Sequence, residues 1–235
     1  TDFSSFNLRN SSPVVINNIF SEFIECSFPD FIVIYMDGSV SPLSAGYSFY
    51  ISQLHISCTS NLPSSSSSFP AELFAIVEVL NFISTSSYKK FLIASDSMFC
   101  LQSLNSFSLH FHISPLILRI ISILISLSQL DLNIQFLWVP SHVGIQGNEC
   151  ADSLAKSSSN LIRPSFSVIP LSDFTPLLQR HFFNFWSVYW RNLPSNFASR
   201  FKFIVPNITK NIWFKNVLLP RSTIVQFYRL RIRHN

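Results

Sequence analysis

Four acidic residues stand where short apolar runs end or where predicted helices begin. Asp37 ends the run FIVIYMD and Asp96 ends KFLIASD, while Glu72 and Asp152 lie near the starts of two predicted helices. Carboxylates in one pocket repel each other unless a cation is bound, and oxygen-only ligands select a hard cation, Mg²⁺ or Mn²⁺, rather than zinc. If the fold brings these four residues together, they form a metal site.

Each acid also has a purely structural interpretation. Asp37 begins the turn-forming sequence DGS, and Asp96 is a good N-cap for the helix that follows it. On this interpretation, Glu72 compensates the helix dipole from the first turn of its helix, and Asp152 is a solvated surface residue. Singly, these interpretations are as good as the metal-binding one, but the order of all four residues along the chain favours the metal site.

The apolar pattern predicts elements in the order β-β-β-α-β-α-α-β-α. Predicted strands cover 31–37, 44–51, 53–60, 90–96 and 132–139, and predicted helices cover 69–84, 97–106, 114–129 and 148–158. The first three strands form an antiparallel meander, whereas strands that alternate with helices pair in parallel through right-handed crossovers. We therefore expect a mixed five-stranded sheet flanked by helices. The carboxyl ends of its parallel strands gather Asp37, Asp96 and the turn that carries His142 at one edge.

Charge divides the chain into two regions. Residues 1–160 contain eleven acids and five Lys or Arg, a net charge of −6, whereas residues 161–235 contain one acid and eleven Lys or Arg, a net charge of +10. The second region alternates aromatic and basic residues, which suits phosphate contact and stacking on bases. A solvated cationic face over an aromatic core is the alternative. We predict a linker or upstream tail at 1–30, a catalytic domain at 31–158 and a truncated, mostly helical basic extension at 159–235.

Cysteine spacing and hydropathy bear on the cellular compartment. The 4 cysteines form no C-x-x-C pair, which argues against a zinc site and for reduced thiols in an intracellular protein, nuclear or cytoplasmic. The apolar run 113–130 contains Arg119, one proline and four serines, so a buried core helix is favoured over a membrane span. No membrane partner is expected.

Four motifs carry a resemblance to a known family. They are YMDGS with a following AGY, then AELFAI, then ASDS, and last WVPSHVGIQGNECADSLAK, which is the most specific. With these motifs, residues 31–158 resemble the type 1 ribonuclease H domain, in the variety carried at the C-terminus of non-LTR retrotransposon polyproteins. All 4 glycines of the chain lie in the motifs, as expected where glycine remains only at positions whose backbone requires it.

The resemblance implies a ribonuclease H-like fold and a two-metal nuclease. Two Mg²⁺ ions, or Mn²⁺, would be held by Asp37, Glu72, Asp96 and Asp152. The substrate would be an RNA–DNA hybrid, whose RNA strand is hydrolysed. One ion lowers the pKa of the attacking water and the other stabilises the leaving 3′ oxygen. An upstream reverse transcriptase domain of the same polyprotein is the expected protein partner.

The resemblance also assigns residues around the acids. His142, ten residues before Asp152, stands where the family keeps a mobile loop histidine that assists proton transfer or product release. Glu149 is an auxiliary acid or a capping-region residue, and Asn148 is expected to cap the last helix. The residues expected to contact the hybrid are Gly38, Ser39, Ser97 and Asn148.

Two other functions compete with hybrid cleavage. The first is a catalytically idle nucleic-acid-binding remnant, because only 12% of residues are charged and 25 are phenylalanine. The second is a DNA strand transferase of related fold, which the WVPSHVGIQGNECAD segment disfavours. Between residues 97 and 131 only Arg119 is basic, so hybrid affinity is expected to come from the basic extension or from a neighbouring reverse transcriptase.

Overall fold

The chain folds into two compact units. A computed structural model describes residues 12–105, 114–158, 171–194, 196–197, 199–210, 214–215 and 218–232. The first unit is Thr1–Asp173 and the second is Phe174–Asn235. The predicted end of the catalytic domain, residue 158, adjoins a segment outside the described residues, and so do residues 1–11 of the predicted N-terminal linker.

One mixed sheet organises the first unit. Its strands are β1 (Ile32–Val40), β2 (Ala45–Ile51), β3 (Ile56–Leu62), β4 (Lys90–Ser95) and β5 (Asn133–Trp138), in the spatial order β3-β2-β1-β4-β5. β2 pairs antiparallel with both β1 and β3, whereas β4 pairs parallel with both β1 and β5. The predicted mixed five-stranded sheet is therefore confirmed. The high helical content also matches the prediction.

The third strand begins later than its alternating pattern predicted. Ser52–Leu54 form a single 3-10 turn, and His55 follows with a left-handed backbone, φ 53°. This turn reverses the chain between β2 and β3, so pairing resumes only at Ile56. A period-two pattern does not distinguish residues of the reversal from residues of the strand.

One face of the sheet carries the main core. Helices α2 (Ser68–Thr85), α3 (Met98–Asn105) and α4 (Pro115–Ser128) belong to it, and α2 packs on β1 and β2. Alternate residues of β1, such as Ile34 and Met36, are fully buried in this cluster. α2 is the one helix of the described residues long and apolar enough to cross a membrane, yet 56% of it is buried inside the protein.

The other face is covered by α1 (Pro13–Ser27) and α5 (Gln146–Ser157). The prediction of a linker or upstream tail over residues 1–30 is wrong for α1, which packs on the sheet. Pro13 occupies the first helical turn, where its missing N–H costs nothing, and the apolar residues that follow recur at helical spacing. Ile16 and Phe20, with exposures of 4% and 1%, bury that stripe against the sheet.

The second unit is helical, as predicted. Its elements are α6 (Leu171–Asn192), which begins just before the unit, α7 (Ser199–Ile204) and α8 (Arg221–Ile232). Inside it the Trp190 ring meets Phe201 edge-on at 5.8 Å, and the Lys202 ammonium lies 5.7 Å from the Trp190 ring centre. Other aromatic residues of α6 face solvent with exposures of 56–67%: Phe182, Phe185, Trp186 and Tyr189.

Candidate active site

Three of the predicted acids meet at the carboxyl edge of the parallel strands. Tyr35 of β1 lies opposite Ala94 of β4, so Asp37 and Asp96, each two residues further on, come out side by side. α2 brings Glu72 to the same place from its first turns. One carboxylate oxygen from each of the three residues lies within 4.8 Å of the other two, and we call this set of residues the three-acid cluster.

Gly38 allows α2 to approach the cluster. A Cβ built on Gly38 would stand 2.6 Å from the carbonyl carbon of Ala71, so a side chain would push the start of α2 away from β1. The backbone of Gly38 also hydrogen-bonds to the carboxyl groups of Asp37 and Glu72. The residue therefore has a structural role beside the acids, and the substrate contact expected of it stays a prediction.

Burial and mutual repulsion make these acids hard to ionise. Burial, followed by the charges of Asp37 and Asp96, raises the pKa of Glu72 to about 9. Burial, followed by the charges of Asp96 and Asp152, raises the pKa of Asp37 to about 7. The pKa of Asp96 is also raised, mainly by burial, although a hydrogen bond from Asn148 and the nearby His142 act in the opposite direction. Near pH 7 the cluster therefore retains protons unless a cation compensates the charge.

The three-acid cluster fits a divalent cation. The Oε2 atom of Glu72 is buried and has no hydrogen-bond partner within the described part of the chain. A buried oxygen of this kind is costly on its own, but it is a suitable ligand for a hard cation that also binds the neighbouring carboxylates. The donors are all oxygen atoms, so the site suits Mg²⁺ or Mn²⁺ better than zinc.

The fourth predicted acid lies beside the cluster, in a second group. Asp152 and Glu149 of α5, with His142 of the preceding loop, place their ligand atoms within 4.8 Å of one another. Asp152 Oδ2 accepts a hydrogen bond of 2.6 Å from Lys156 Nζ. Its charge helps to raise the pKa of Asp37, so it lies near enough to act on the cluster. The Lys156 pairing went unpredicted, although its i,i+4 spacing in ADSLAK was a visible signal.

The loop between β5 and α5 holds His142 in an unusual backbone conformation. His142 has φ 54° and Gly144 has φ 98°, both in the left-handed region. The His142 side chain is 63% exposed, and its Nδ1 atom lies 3.8 Å from Glu149 Oε2. Glu149 Oε1 accepts a hydrogen bond of 3.3 Å from the Gly144 amide, so one acid of α5 orders the turn that presents the imidazole.

The expected capping role of Asn148 is wrong. α5 begins at Gln146, two residues earlier than predicted, and its N-cap residue, Ile145, makes no side-chain cap. Asn148 lies inside the helix with 1% exposure, and its Nδ2 donates a hydrogen bond of 3.2 Å to Asp96 Oδ2. Helix geometry therefore aims this amide at the cluster, and its expected contact with substrate stays a prediction.

Trp138, the last residue of β5, also contacts the site. The indole Nε1 donates a hydrogen bond of 3.1 Å to the backbone carbonyl of Asp96. The bond joins the end of β5 to the residue that follows β4, which no local pattern reveals.

The two serines expected to contact substrate follow the acids closely in sequence: Ser97 is the next residue after Asp96, and Ser39 is two residues after Asp37. Ser39 pairs with Gly46 across β1 and β2. The Ser97 amide donates a hydrogen bond of 3.1 Å to Ser95 Oγ, and the Ser97 side chain hydrogen-bonds to Cys100. Both serines are half-buried, and their contact with substrate stays a prediction.

The sheet order and the carboxylate edge define a ribonuclease H-like α/β protein. A sequence model of the RNase H family matches residues 29–160, more than half of the chain. The chain therefore belongs to the RNase H family, and the predicted enzyme class is confirmed. No curated protein matches the sequence.

Two solved structures align with part of this chain. The N-terminal RNase H domain of a Mycobacterium tuberculosis protein, fused to maltose binding protein, aligns with a TM-score of 0.44 and 19% identity over 55% of this chain and 98% of that one. A foamy viral protease-reverse transcriptase in complex with an RNA/DNA hybrid aligns with a TM-score of 0.46 and 21% identity over 57% of this chain. The match covers 20% of the viral chain.

Proposed function

We propose that this protein hydrolyses the RNA strand of RNA–DNA hybrids with the help of two Mg²⁺ ions. The observation that carries the proposal is the three-acid cluster at the sheet edge of an RNase H family chain, in which one carboxylate oxygen of each acid lies within 4.8 Å of the other two. A cluster of carboxylates at one sheet edge binds a phosphate backbone only when cations are present.

The chain's own residues have distinct parts in the proposed reaction. Asp37, Glu72 and Asp96 would hold the cations, with Asp152 as the fourth ligand after it leaves Lys156. Bound ions of this kind activate a water for attack on phosphorus and stabilise the leaving 3′ oxygen. His142, exposed and held beside Glu149, would assist proton transfer or product release.

The proposed setting is a non-LTR retrotransposon polyprotein that also contains a reverse transcriptase. The support is the motif series from YMDGS to WVPSHVGIQGNECADSLAK, followed by a basic, aromatic-rich extension. Removal of template RNA during reverse transcription is the task that fits this setting. The four cysteines, all free, fit a reducing compartment, so we place the reaction in the nucleus or cytoplasm.

Hybrid affinity is proposed to come from the second unit. Residues 174–235 contain ten Lys or Arg and no Asp or Glu, whereas the cluster itself repels phosphate. Exposed rings on α6, among them Phe185 and Trp186, supply surfaces for stacking on bases.

The direct test is cleavage of a labelled RNA–DNA hybrid by the purified protein in Mg²⁺. RNA duplex and DNA duplex serve as parallel substrates, and the expected products carry 5′ phosphates and 3′ hydroxyls. Failure to cut the hybrid, in a sample shown to be folded, would exclude this function and leave the idle nucleic-acid-binding remnant. Strand joining of DNA instead of RNA hydrolysis would identify a strand transferase.

A further inference from the structure

α1 lies outside the segment that the family model matches, yet it packs onto the catalytic domain. The match begins at residue 29, whereas α1 covers Pro13–Ser27. Ile16 and Phe20 are almost completely buried, and the Phe20 ring lies 6.2 Å from the ring of Tyr35. The residues buried with them belong to β4, to β5 and the position after it, and to α5 and its N-cap: Leu92, Ala94, Leu137, Val139, Ile145 and Ala151.

The N-terminal end of α1 contacts the loop that carries His142. A Cβ built on Gly144 would stand 2.7 Å from Pro13 Cα, so the two backbones are in direct contact at a residue with φ 98°. The side chain of Asn17 also reaches this segment: its Oδ1 accepts a hydrogen bond of 2.9 Å from the Gln146 amide.

The contact from Asn17 supplies what α5 lacks within its own sequence. The first amides of a helix have no intrahelical partner, and a side chain at the N-cap normally accepts from one of them. Ile145 stands at that position and offers no acceptor. Asn17 therefore caps α5 from a different helix, at the residue that joins the His142 loop to the helix bearing Asp152.

The capped segment is connected to the reacting groups on both sides. On the upstream side, the Gly144 amide donates a hydrogen bond to Glu149, whose carboxylate also lies beside His142. Downstream, Asn148 donates to Asp96 in the three-acid cluster. A displacement of the first turn of α5 would therefore move the imidazole and a cluster ligand relative to each other.

We propose that α1 is a positioning element of the active site, in which Asn17 caps α5 and Pro13 supports Gly144, so that the His142 loop is held for catalysis. This inference rests on the proposed function. Asn17 does not touch the reacting atoms; it acts through the loop. The observations that carry it are the trans cap and the backbone contact at Gly144.

The test compares three α1 variants of the full chain. Asn17→Leu removes the acceptor at similar size, and Asn17→Asp retains it and suits a helix N-terminus. Asn18→Leu is the matched control, because Asn18 is exposed on the same helix. We expect Asn17→Leu to lower kcat for the hybrid about tenfold, with KM unchanged. This factor is what the loss of one helix cap corresponds to if its whole free energy is lost from the transition state. Asn17→Asp should restore the rate, and Asn18→Leu should match the wild type.

Two further readouts separate positioning from general destabilisation. In a His142→Ala background, Asn17→Leu should cause little additional loss, because the loop no longer carries the imidazole. Amide hydrogen exchange across residues 143–149 should be faster in Asn17→Leu than in wild type. An unchanged kcat with unchanged exchange would overturn the inference, and so would an equal loss in the His142→Ala background.

The exchange measurement also separates this inference from the proposed function. If the wild type cleaves no hybrid, the proposed function fails. Amide hydrogen exchange alone then tests whether α1 holds the His142 loop in place. Faster exchange at residues 143–149 in Asn17→Leu would support the positioning of the loop by α1, whereas equal exchange would reject it.

Discussion

The two units of this protein treat charge and apolar surface in opposite ways. The first buries apolar residues in continuous clusters and gathers three acids, Asp37, Glu72 and Asp96, at one sheet edge. The second has ten Lys or Arg and no acid between residues 174 and 235, and α6 leaves large rings in solvent. The proposed function therefore assigns chemistry and affinity to separate regions: groups of the first unit would act on the phosphodiester, and groups of the second would attract it.

The largest expected effect comes from removing one charge of the three-acid cluster. Asp37→Asn should lower hybrid cleavage about a thousandfold, because the lost ligand removes several kcal/mol of transition-state stabilisation by the ions. Asp131→Asn makes the same chemical change at an exposed site and should leave cleavage unchanged. The measurement is the single-turnover rate, with circular dichroism to check folding. Full activity in Asp37→Asn would show that the first unit does not hold the reacting groups where we place them.

Deleting the second unit should change affinity rather than chemistry. Without residues 174–235 the protein should bind the hybrid about a hundredfold more weakly at low salt, because fewer counterions are released on binding. Binding is measured in the Asp37→Asn background, where the substrate stays intact, over a range of salt concentrations. A smaller salt slope is expected for the truncated chain. Equal slopes would mean that the basic residues of the second unit do not contact phosphate.

A single exposed ring tests whether the second unit stacks on bases or only attracts phosphate. Trp186→Ala should weaken hybrid or single-strand binding about tenfold, since stacking contributes about 1–3 kcal/mol per base. Trp186→Phe should retain most of the affinity. Because Trp186 is 58% exposed, neither change should alter the melting temperature. Affinity that is insensitive to Trp186→Ala would favour a cationic face without stacking.

The smallest effect is a pH dependence of stability that arises from the buried acids of the first unit. The pKa values of Asp37 and Glu72 are raised to about 7 and about 9, whereas in the unfolded chain they are about 4. Between these values the folded state holds protons that the unfolded state releases, so stability falls as pH rises from about 4 towards 9. We expect a melting temperature a few degrees lower at pH 8 than at pH 5.

Mg²⁺ provides the control for this pH effect. The ion binds deprotonated carboxylates, so it should stabilise the protein more at pH 8 than at pH 5. In Asp37→Asn both the pH dependence and the Mg²⁺ response should shrink. A melting temperature that rises with pH in the absence of Mg²⁺ would contradict the burial of these acids.

Most of the sheet and the order of the acids followed from sequence, because both depend on local pattern and on topology rules. Runs such as FIVIYMD and KFLIASD mark strands by length and composition, and parallel pairing then brings their ends together. α1 was missed although Pro13 and the apolar spacing after it were visible signals, because polar residues between them hid the stripe.

The contacts between residues far apart in the chain could not be predicted from the sequence. Asn148 was interpreted as a cap because capping is a local rule, whereas its partner Asp96 lies 52 residues away. The cap that α5 does have comes from Asn17, 129 residues before Gln146. Such pairs depend on how helices pack across a sheet, which single-sequence patterns do not encode.

The indole of Trp138 is an intrinsic fluorescent probe beside the active site. It is the only tryptophan among residues 1–173, and it hydrogen-bonds to the backbone of Asp96. The other three tryptophans belong to the basic extension. Emission from this single ring can therefore follow occupancy of the acid cluster without a label, in a protein whose three remaining indoles are replaced by phenylalanine.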